Sequence, residues 1–127
     1  MTDKYYITTP IYYVNDKPHI GHAYTSVATD FIARFMRLNG FDVRFQTGTD
    51  EHGLKIQKAA EKKGKKPLEL CNENSQIFRD LTTSLNLSND DFIRTTEKRH
   101  IHGASFLWKR LHERNQIYLG EYTGWYS

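Results

Sequence analysis

The 127-residue chain has the length of one domain, and its 38% hydrophobic and 26% charged residues exclude a disordered tail or a fibrous protein. One cysteine, Cys71, cannot form an internal disulfide; the first twenty residues lack a secretory signal, and no stretch reaches the roughly 20 apolar residues of a membrane span. We therefore expect a cytoplasmic protein with no membrane partner. The net charge is +3, and the six lysines between Lys55 and Lys66 are better explained as a solvated helix face than as a polyanion site.

The chain begins with a strand–helix–strand pattern. Tyr5 to Tyr13 are rich in β-branched and aromatic residues and run into turn formers, which predicts a buried strand. From Ala23 to Asn39, before Gly40, the spacing predicts an amphipathic helix with the apolar stripe Val27, Phe31, Phe35 and Leu38. Alternation from Phe41 to Phe45, ended by Gly48, predicts a second strand. Such a unit has parallel strands, so we expect an α/β fold with helices flanking a parallel sheet.

The remaining elements follow the same helical and extended patterns. Helices are predicted at residues 54–63 and 68–85, the second with the stripe Ile77, Leu81 and Leu85. A short strand is predicted at 92–95 and a helix at 96–114. Residues 117–127 are aromatic and strand-like and stop without a polar tail, so we expect a fragment of a longer protein. The aromatic residues predicted to lie in the core are Tyr5, Tyr6, Phe92 and Trp108.

The strongest functional signal is Pro18-His19-Ile20-Gly21-His22, between the first strand and the first helix. Ligands of parallel sheets bind beyond the carboxyl ends of the strands, where a helix N-terminus offers free N–H groups and a positive dipole to a phosphate. Gly21 permits close approach of a nucleotide, and His19 and His22 can donate to phosphate oxygens. The dinucleotide and P-loop glycine patterns are absent, so this predicts another way of gripping ATP.

Two simpler interpretations compete with a nucleotide site. Two histidines three residues apart can be a helix cap and a surface pair, and for an isolated motif that interpretation would be preferred. His19 and His22 could also join Asp50 or His52 at a metal, but no third ligand follows at a standard spacing, so we expect no metal in this segment. The position of the motif in a strand–helix–strand unit favours the nucleotide.

A second signal is the segment 47–53, Thr-Gly-Thr-Asp-Glu-His-Gly, which ends the second strand and should face the same crevice. Asp50 is suited to hold a cationic group such as the α-amine of an amino acid. Glu51 and His52 could order the loop, and an ordinary glycine-flanked turn remains open for both.

The run Thr8 to Asn15, the motif 18–22 and the segment 47–53 together resemble the class I aminoacyl-tRNA synthetases, and within them the methionyl enzymes of bacterial and organellar type. The similarity continues through Asp91-Phe92-Ile93-Arg94-Thr95-Thr96 to Gly124-Trp125-Tyr126-Ser127. The resemblance implies the first half of a Rossmann-like catalytic domain at residues 1–116, and the start of a connective insertion at 117–127.

The resemblance also implies a reaction and its residues. Methionine and ATP would form methionyl-adenylate and pyrophosphate, and the amino acid would then pass to its tRNA. His19 and His22 would be catalytic, and they would bind ATP together with Tyr12 and Gly21. Ile11, Tyr13 and Asp50 would bind the amino acid. Mg²⁺ would accompany ATP; zinc would belong to the insertion beyond this segment, and DNA is not an expected partner. Activity is expected in the full-length enzyme, since the family's Lys-Met-Ser-Lys-Ser loop is absent here.

Two alternatives remain open. One is a small nucleotidyltransferase that uses His-x-Gly-His to adenylate a phosphorylated metabolite, against which segment 47–53 argues. The other is a non-catalytic, synthetase-like module that binds nucleotide or RNA without turnover.

Overall fold

A computed structural model of the chain describes residues 2–125. Within that range four strands and four helices follow one another: β1 (Lys4–Thr8), β2 (Tyr12–Tyr13), α1 (Ile20–Leu38), β3 (Asp42–Asp50), α2 (Leu54–Lys62), α3 (Pro67–Ser84), β4 (Asp91–Arg94) and α4 (Lys98–Glu113). The predicted α/β class is confirmed, and every predicted helix is present with its ends shifted by a few residues.

β3 is the central strand, and it pairs in parallel with each of the other three. Lys4 to Thr8 of β1 align with Asp42 to Gln46, and β4 aligns with residues 46–49. β2 aligns with the end of β3, with Tyr12 opposite Thr49 and Tyr13 opposite Asp50. The carboxyl ends of β2, β3 and β4 therefore meet at one edge of the sheet, where ligands of such folds bind.

The first predicted strand is two strands, separated at residues 9–11. Pro10 lies in this gap, and proline has no N–H to donate to a sheet ladder. β3, in turn, does not stop at Gly48 as predicted but continues to Asp50. Gly48 instead lies where the pairing of β3 with β4 leaves no room for a side chain, because a Cβ there would lie 2.0 Å from the backbone oxygen of Ile93 in β4.

Two core clusters cover the sheet. One is built from β2, α2, α3 and β4 and contains Tyr12, Val14, Ile56, Cys71, Phe78 and Phe92. The other joins α1 to β3 through Ala33, Val43 and Phe45, with Tyr5 packed beside it. Phe92 is thus a core residue as predicted, whereas Tyr6 and Trp108 are exposed.

Helix α1 exposes the apolar stripe that the sequence suggested would face a core. Phe31 is 70% and Leu38 is 87% exposed, while the buried residues are Ser26, Thr29, Asp30 and Ala33. The buried polar face is held by hydrogen bonds: Asp30 accepts from the Ser88 N–H at 2.6 Å and from Arg34 Nε at 2.6 Å. The helix therefore attaches to the sheet side through small and polar groups.

Helix α3 also buries a different set from the predicted stripe. Its buried residues are Leu70, Cys71, Asn74, Ser75 and Phe78, and the predicted Ile77, Leu81 and Leu85 are only partly buried. Asn74 is buried because it serves a backbone group: its Nδ2–H donates to the Val14 carbonyl at 2.6 Å.

The chain divides into two compact units, up to Glu97 and from Lys98 onward. The second unit contains α4, followed by residues 114–125 without a strand. The predicted extended character of 117–125 is thus not realised as a strand, and positions 126–127 of that prediction lie outside the described residues. Among residues 2–125, no helix is both long and apolar enough to cross a bilayer.

Candidate functional site

Two histidines form the cap of helix α1. His19 is the N-cap residue, with extended backbone, and its Nδ1 accepts the N–H of Gly21 at 3.1 Å. His22 reaches back, and its Nδ1 accepts the N–H of His19 at 3.0 Å. The two ring centroids lie 3.8 Å apart. This is the reciprocal arrangement of a capping box, here made by two imidazoles.

The capping contacts determine which backbone N–H groups of the first turn remain available to a ligand. The N–H groups of His22 and Ala23 bond the His19 carbonyl at 3.0 and 3.3 Å, and that of Gly21 bonds the His19 ring. The expectation of free N–H groups in this turn is therefore wrong for these three residues. Because each Nδ1 accepts, the neutral ring carries its proton on Nε2, so each histidine keeps one N–H donor for a ligand.

Aromatic packing fixes the inner ring. Tyr12 stacks on Phe78 with centroids 5.6 Å apart and meets His22 edge-on at 4.8 Å. The Tyr12 hydroxyl lies 3.0 Å from the Ser26 hydroxyl of α1. Burial, followed by the nearby charge of His19, lowers the pKa of His22 below 6.5. Tyr12 therefore orders the His22 ring, while burial and the His19 charge favour its neutral form.

A cavity of about 300 Å³ opens beside this pair. Five of the seven predicted site residues line it, in company with three loop residues: Ile11, Tyr12, Tyr13, Asn15, Asp16, Lys17, His19 and His22. Among these loop residues, Asn15 and Asp16 were predicted only as turn formers, and Lys17 was assigned no role from sequence. The cavity combines aromatic walls with hydrogen-bond donors, which is the usual make-up of a small-ligand site.

Asp50 lies apart from the cavity lining, at the last position of β3. It is paired with Tyr13 of β2, so the two side chains share one face of the sheet while Tyr12 and Thr49 take the other. Asp50 is half-buried, and its Oδ1 accepts a long hydrogen bond of 3.4 Å from the N–H of His52. The structure thus places Asp50 beside Tyr13, one of the residues predicted to bind the amino acid.

Gly21 is explained first by the chain itself. A Cβ at this position would lie 3.0 Å from Cε1 and 3.1 Å from Nδ1 of the His19 ring, tighter than ordinary contacts. A side chain at position 21 would therefore press on the capping ring. The glycine leaves room for the capping ring beside the first turn.

Sequence reasoning missed the partner of Glu51. Arg94, at the end of β4, forms a bidentate ion pair with the buried Glu51 carboxylate, and its Nε lies 2.7 Å from Oε1. The expectation that Glu51 orders the loop is consistent with this contact. A signal was available, because the carboxyl ends of neighbouring parallel strands meet, which places Arg94 beside the loop after β3.

No three His, Cys, Asp or Glu side chains among residues 2–125 are grouped so that they could hold a metal ion. Cys71 is buried beside Glu51, and burial followed by the Glu51 charge raises the pKa of its thiol to about 11. The thiol therefore stays protonated at neutral pH and is a poor nucleophile.

Residues 5–127 match the family model described as tRNA synthetases class I (M). The chain is 60% identical over all 127 residues to the methionine–tRNA ligase of Rickettsia conorii, and 58% identical over 125 residues to that of Mesorhizobium japonicum. It covers 25% and 24% of those proteins, so it spans about a quarter of the length of these curated relatives.

Solved structures agree with these sequence relatives. The Mycobacterium tuberculosis methionyl-tRNA synthetase, solved in complex with methionyl-adenylate, matches with a TM-score of 0.92 at 50% identity, over 99% of this chain and 25% of that one. The Agrobacterium radiobacter LeuRS in a ternary complex with tRNA and LeuAMS matches with a TM-score of 0.75 at 24% identity, which is a likeness of fold alone.

Proposed function

The chain belongs to the methionine family of class I tRNA synthetases, and from this we propose that it is the ATP-binding part of an enzyme that activates methionine and charges tRNA with it. The methionine carboxylate would attack the α-phosphorus of ATP, and the bond to the bridging oxygen would break. Methionyl-adenylate and pyrophosphate would form. In the second step a ribose hydroxyl of the terminal tRNA adenosine would attack the carbonyl carbon, and AMP would leave.

The observation that carries the proposal is the histidine cap of α1. His19 and His22 each use Nδ1 within the chain and present Nε2–H at the positive end of a 19-residue helix. Both donors are fixed before a ligand arrives, so they can stabilise the charge on the α-phosphate in the transition state without reorganising. We assign them the catalytic role, with Tyr12 and Gly21 completing the ATP site.

The amino acid would lie beside the cavity, against Ile11, Tyr13 and Asp50. Ile11 and Tyr13 line the cavity and are 41% and 50% exposed, so they supply accessible apolar surface. Asp50, which shares a sheet face with Tyr13, would hold the α-amine by a charge-assisted bond. The methionyl-adenylate bound to the Mycobacterium relative supports a site for both substrates in this fold.

Several parts of the proposal concern the longer protein. Residues 1–116 would be the first half of the catalytic domain, and residues 117–127 the start of the connective insertion; zinc, if present, would lie further along that insertion. Mg²⁺ would arrive on the ATP phosphates. Because the chain spans about a quarter of its relatives, we expect the 127 residues alone to charge tRNA negligibly.

Pyrophosphate exchange on the full-length protein tests the proposal. Radioactive pyrophosphate should enter ATP when methionine is supplied, and not when leucine or valine replaces it. Exchange with none of the three would contradict amino-acid activation. A chain that binds adenine nucleotide without exchange would be a non-catalytic module, and adenylation of a phosphorylated metabolite would identify a small nucleotidyltransferase.

A further inference from the structure

The Glu51 carboxylate is the buried centre of an ion-pair cluster directly after β3. Its side chain has 0% exposed area. Arg94 donates Nε–H to Oε1 at 2.7 Å and Nη2–H to Oε2 at 3.0 Å. The hydroxyls of Thr49 and Thr96 donate to Oε1 and Oε2 respectively. Burial raises the pKa of Glu51, but the Arg94, Thr96 and Thr49 hydrogen bonds and the Arg94 charge bring it below its ordinary value. Glu51 is therefore ionised at neutral pH.

The cluster connects the loop after β3 to two further elements. Arg94 is the last residue of β4, and its Nη2–H also donates to Oδ1 of Asn72 in α3 at 2.6 Å. The backbone N–H of Glu51 donates to the Thr95 hydroxyl at 2.9 Å. Both the backbone and the side chain of Glu51 are therefore fixed by groups from β4, the residues after it and α3.

Asp50 precedes this anchored residue and is itself held more loosely. Its carboxylate accepts the 3.4 Å hydrogen bond from His52, in an exposed stretch of the loop. Asp50 and Glu51 share a planar peptide unit, so fixing Glu51 restricts the dihedral angles that set the direction of the Asp50 side chain. The direction of the Asp50 side chain thus depends on the contacts that hold Glu51.

A buried ion pair is a weak device for stability, because desolvating both charges offsets most of their attraction. It is a strong device for geometry, because the guanidinium fork accepts a carboxylate in one plane and one orientation. We propose that Glu51 and Arg94 are positioning residues that hold Asp50 where it binds the α-amine of the amino acid. This inference rests on the proposed function of the site.

The test replaces Arg94 in the full-length protein and follows pyrophosphate exchange. Arg94→Lys keeps the charge but loses the fork, so the KM for methionine should rise about tenfold or more, as a displacement of a binding group by a fraction of an ångström produces. The KM for ATP should stay within about twofold, since the histidine cap is untouched. Thr96→Val removes one hydrogen bond from Glu51 and should raise the methionine KM by a smaller factor.

The matched control is Arg44→Lys. Arg44 also pairs across β3 and β4, with Nη2–Oδ2 of Asp91 at 3.3 Å, but it lies near the start of β3, away from Asp50. The Arg44→Lys variant should change neither the KM for methionine nor the KM for ATP. All rates are divided by the concentration of active sites from a burst of adenylate formation, so that a poorly folded variant does not imitate weak binding.

Two inhibitors identify the group that is affected. Methioninol keeps the amine and lacks the carboxylate, and its inhibition constant should rise with Arg94→Lys in parallel with the methionine KM. The acid 4-(methylthio)butanoate lacks the amine, and its inhibition constant should not change. Equal weakening of both inhibitors, or of methionine and ATP, would show a general structural role and overturn the inference.

The outcomes separate the inference from the proposed function. If the wild-type protein exchanges pyrophosphate with methionine but Arg94→Lys behaves like Arg44→Lys, the inference alone is overturned. If the wild-type protein exchanges with no amino acid, the proposed function fails and the inference fails with it.

Discussion

The Nδ1 atom of His22 accepts the backbone N–H of His19 at 3.0 Å, while the two imidazole centroids lie 3.8 Å apart. The same side chains therefore cap the N-terminus of helix α1 and present a pair of Nε2–H donors beside the cavity. A structural task and a proposed catalytic task are combined in one pair of residues, and a suitable substitution can separate them.

Asparagine at position 19 should keep the cap and remove the catalytic donor. Asn is among the best N-cap residues, so His19→Asn should change the free energy of unfolding by only about 0.5 kcal/mol, whereas His19→Ala should lose about 0.5–2 kcal/mol. Both variants should lower the rate of pyrophosphate exchange in the full-length protein by about 10²–10³. Urea unfolding of the 127-residue chain and exchange assays check the two halves; retained exchange in His19→Asn would contradict the catalytic assignment.

The acid sensitivity of the site should follow His22. Burial, then the His19 charge, lowers its pKa in the folded state from 6.5. The unfolded chain therefore binds a proton first as pH falls, so stability from this group is complete above about 6.5 and is lost as pH falls through the lower folded-state value. Unfolding free energy measured between pH 5 and 8 should show this decline, and His22→Asn should flatten it. A decline that is unchanged in His22→Asn would point to another group.

Gly48 should tolerate no side chain. A Cβ would lie 2.0 Å from the backbone oxygen of Ile93, and backbone cannot move aside as a flexible side chain can. Gly48→Ala should therefore separate β3 from β4 and cost more than about 4 kcal/mol, or prevent folding. Gly40→Ala is the control: it has φ +85° and open space around it, so it should cost only about 1–2 kcal/mol of backbone strain. Circular dichroism and urea unfolding compare them; equal costs would refute the close-contact explanation.

The outer face of α1 should make the 127-residue chain associate. Ile20, Tyr24, Val27 and Phe31 are each more than 40% exposed on that face, and their groove is almost wholly apolar. Apolar patches of this kind promote association in water. Phe31→Glu should shift sedimentation toward monomer, and Lys58→Gln on the exposed side of α2, which also lowers the net charge by one, is the control for the change of charge. A wild-type chain that remains monomeric at high concentration would contradict the prediction.

Local patterns predicted the elements well, because spacing of three and four and strict alternation depend on neighbours in sequence. They failed on which face is buried. In α1 the apolar stripe with Phe31 is exposed, and the buried face carries Ser26, which bonds Tyr12 of β2, and Asp30, which bonds Ser88, 58 residues further along the chain. No local period records a partner about sixty residues away.

The candidate site, too, could be predicted from the sequence only in part. The motif 18–22 and Asp50 could be found from sequence because they lie at strand ends in a strand–helix–strand unit. The use of Nδ1 by both histidines could not, because it depends on ring orientations in the folded turn. Arg94 lies 43 positions from Glu51 and becomes visible only when β3 and β4 are placed side by side.

The most direct test of the account is the KM for methionine in pyrophosphate exchange by full-length Asp50→Asn. The substitution keeps size and hydrogen bonding and removes the charge that would hold the α-amine. We predict a rise of about 10²-fold or more in the methionine KM, with the KM for ATP within about twofold, as expected for loss of a charge-assisted hydrogen bond to the amine. An unchanged methionine KM would contradict the amine-binding role of Asp50, and with it the assignment of this edge of the sheet as the amino-acid site.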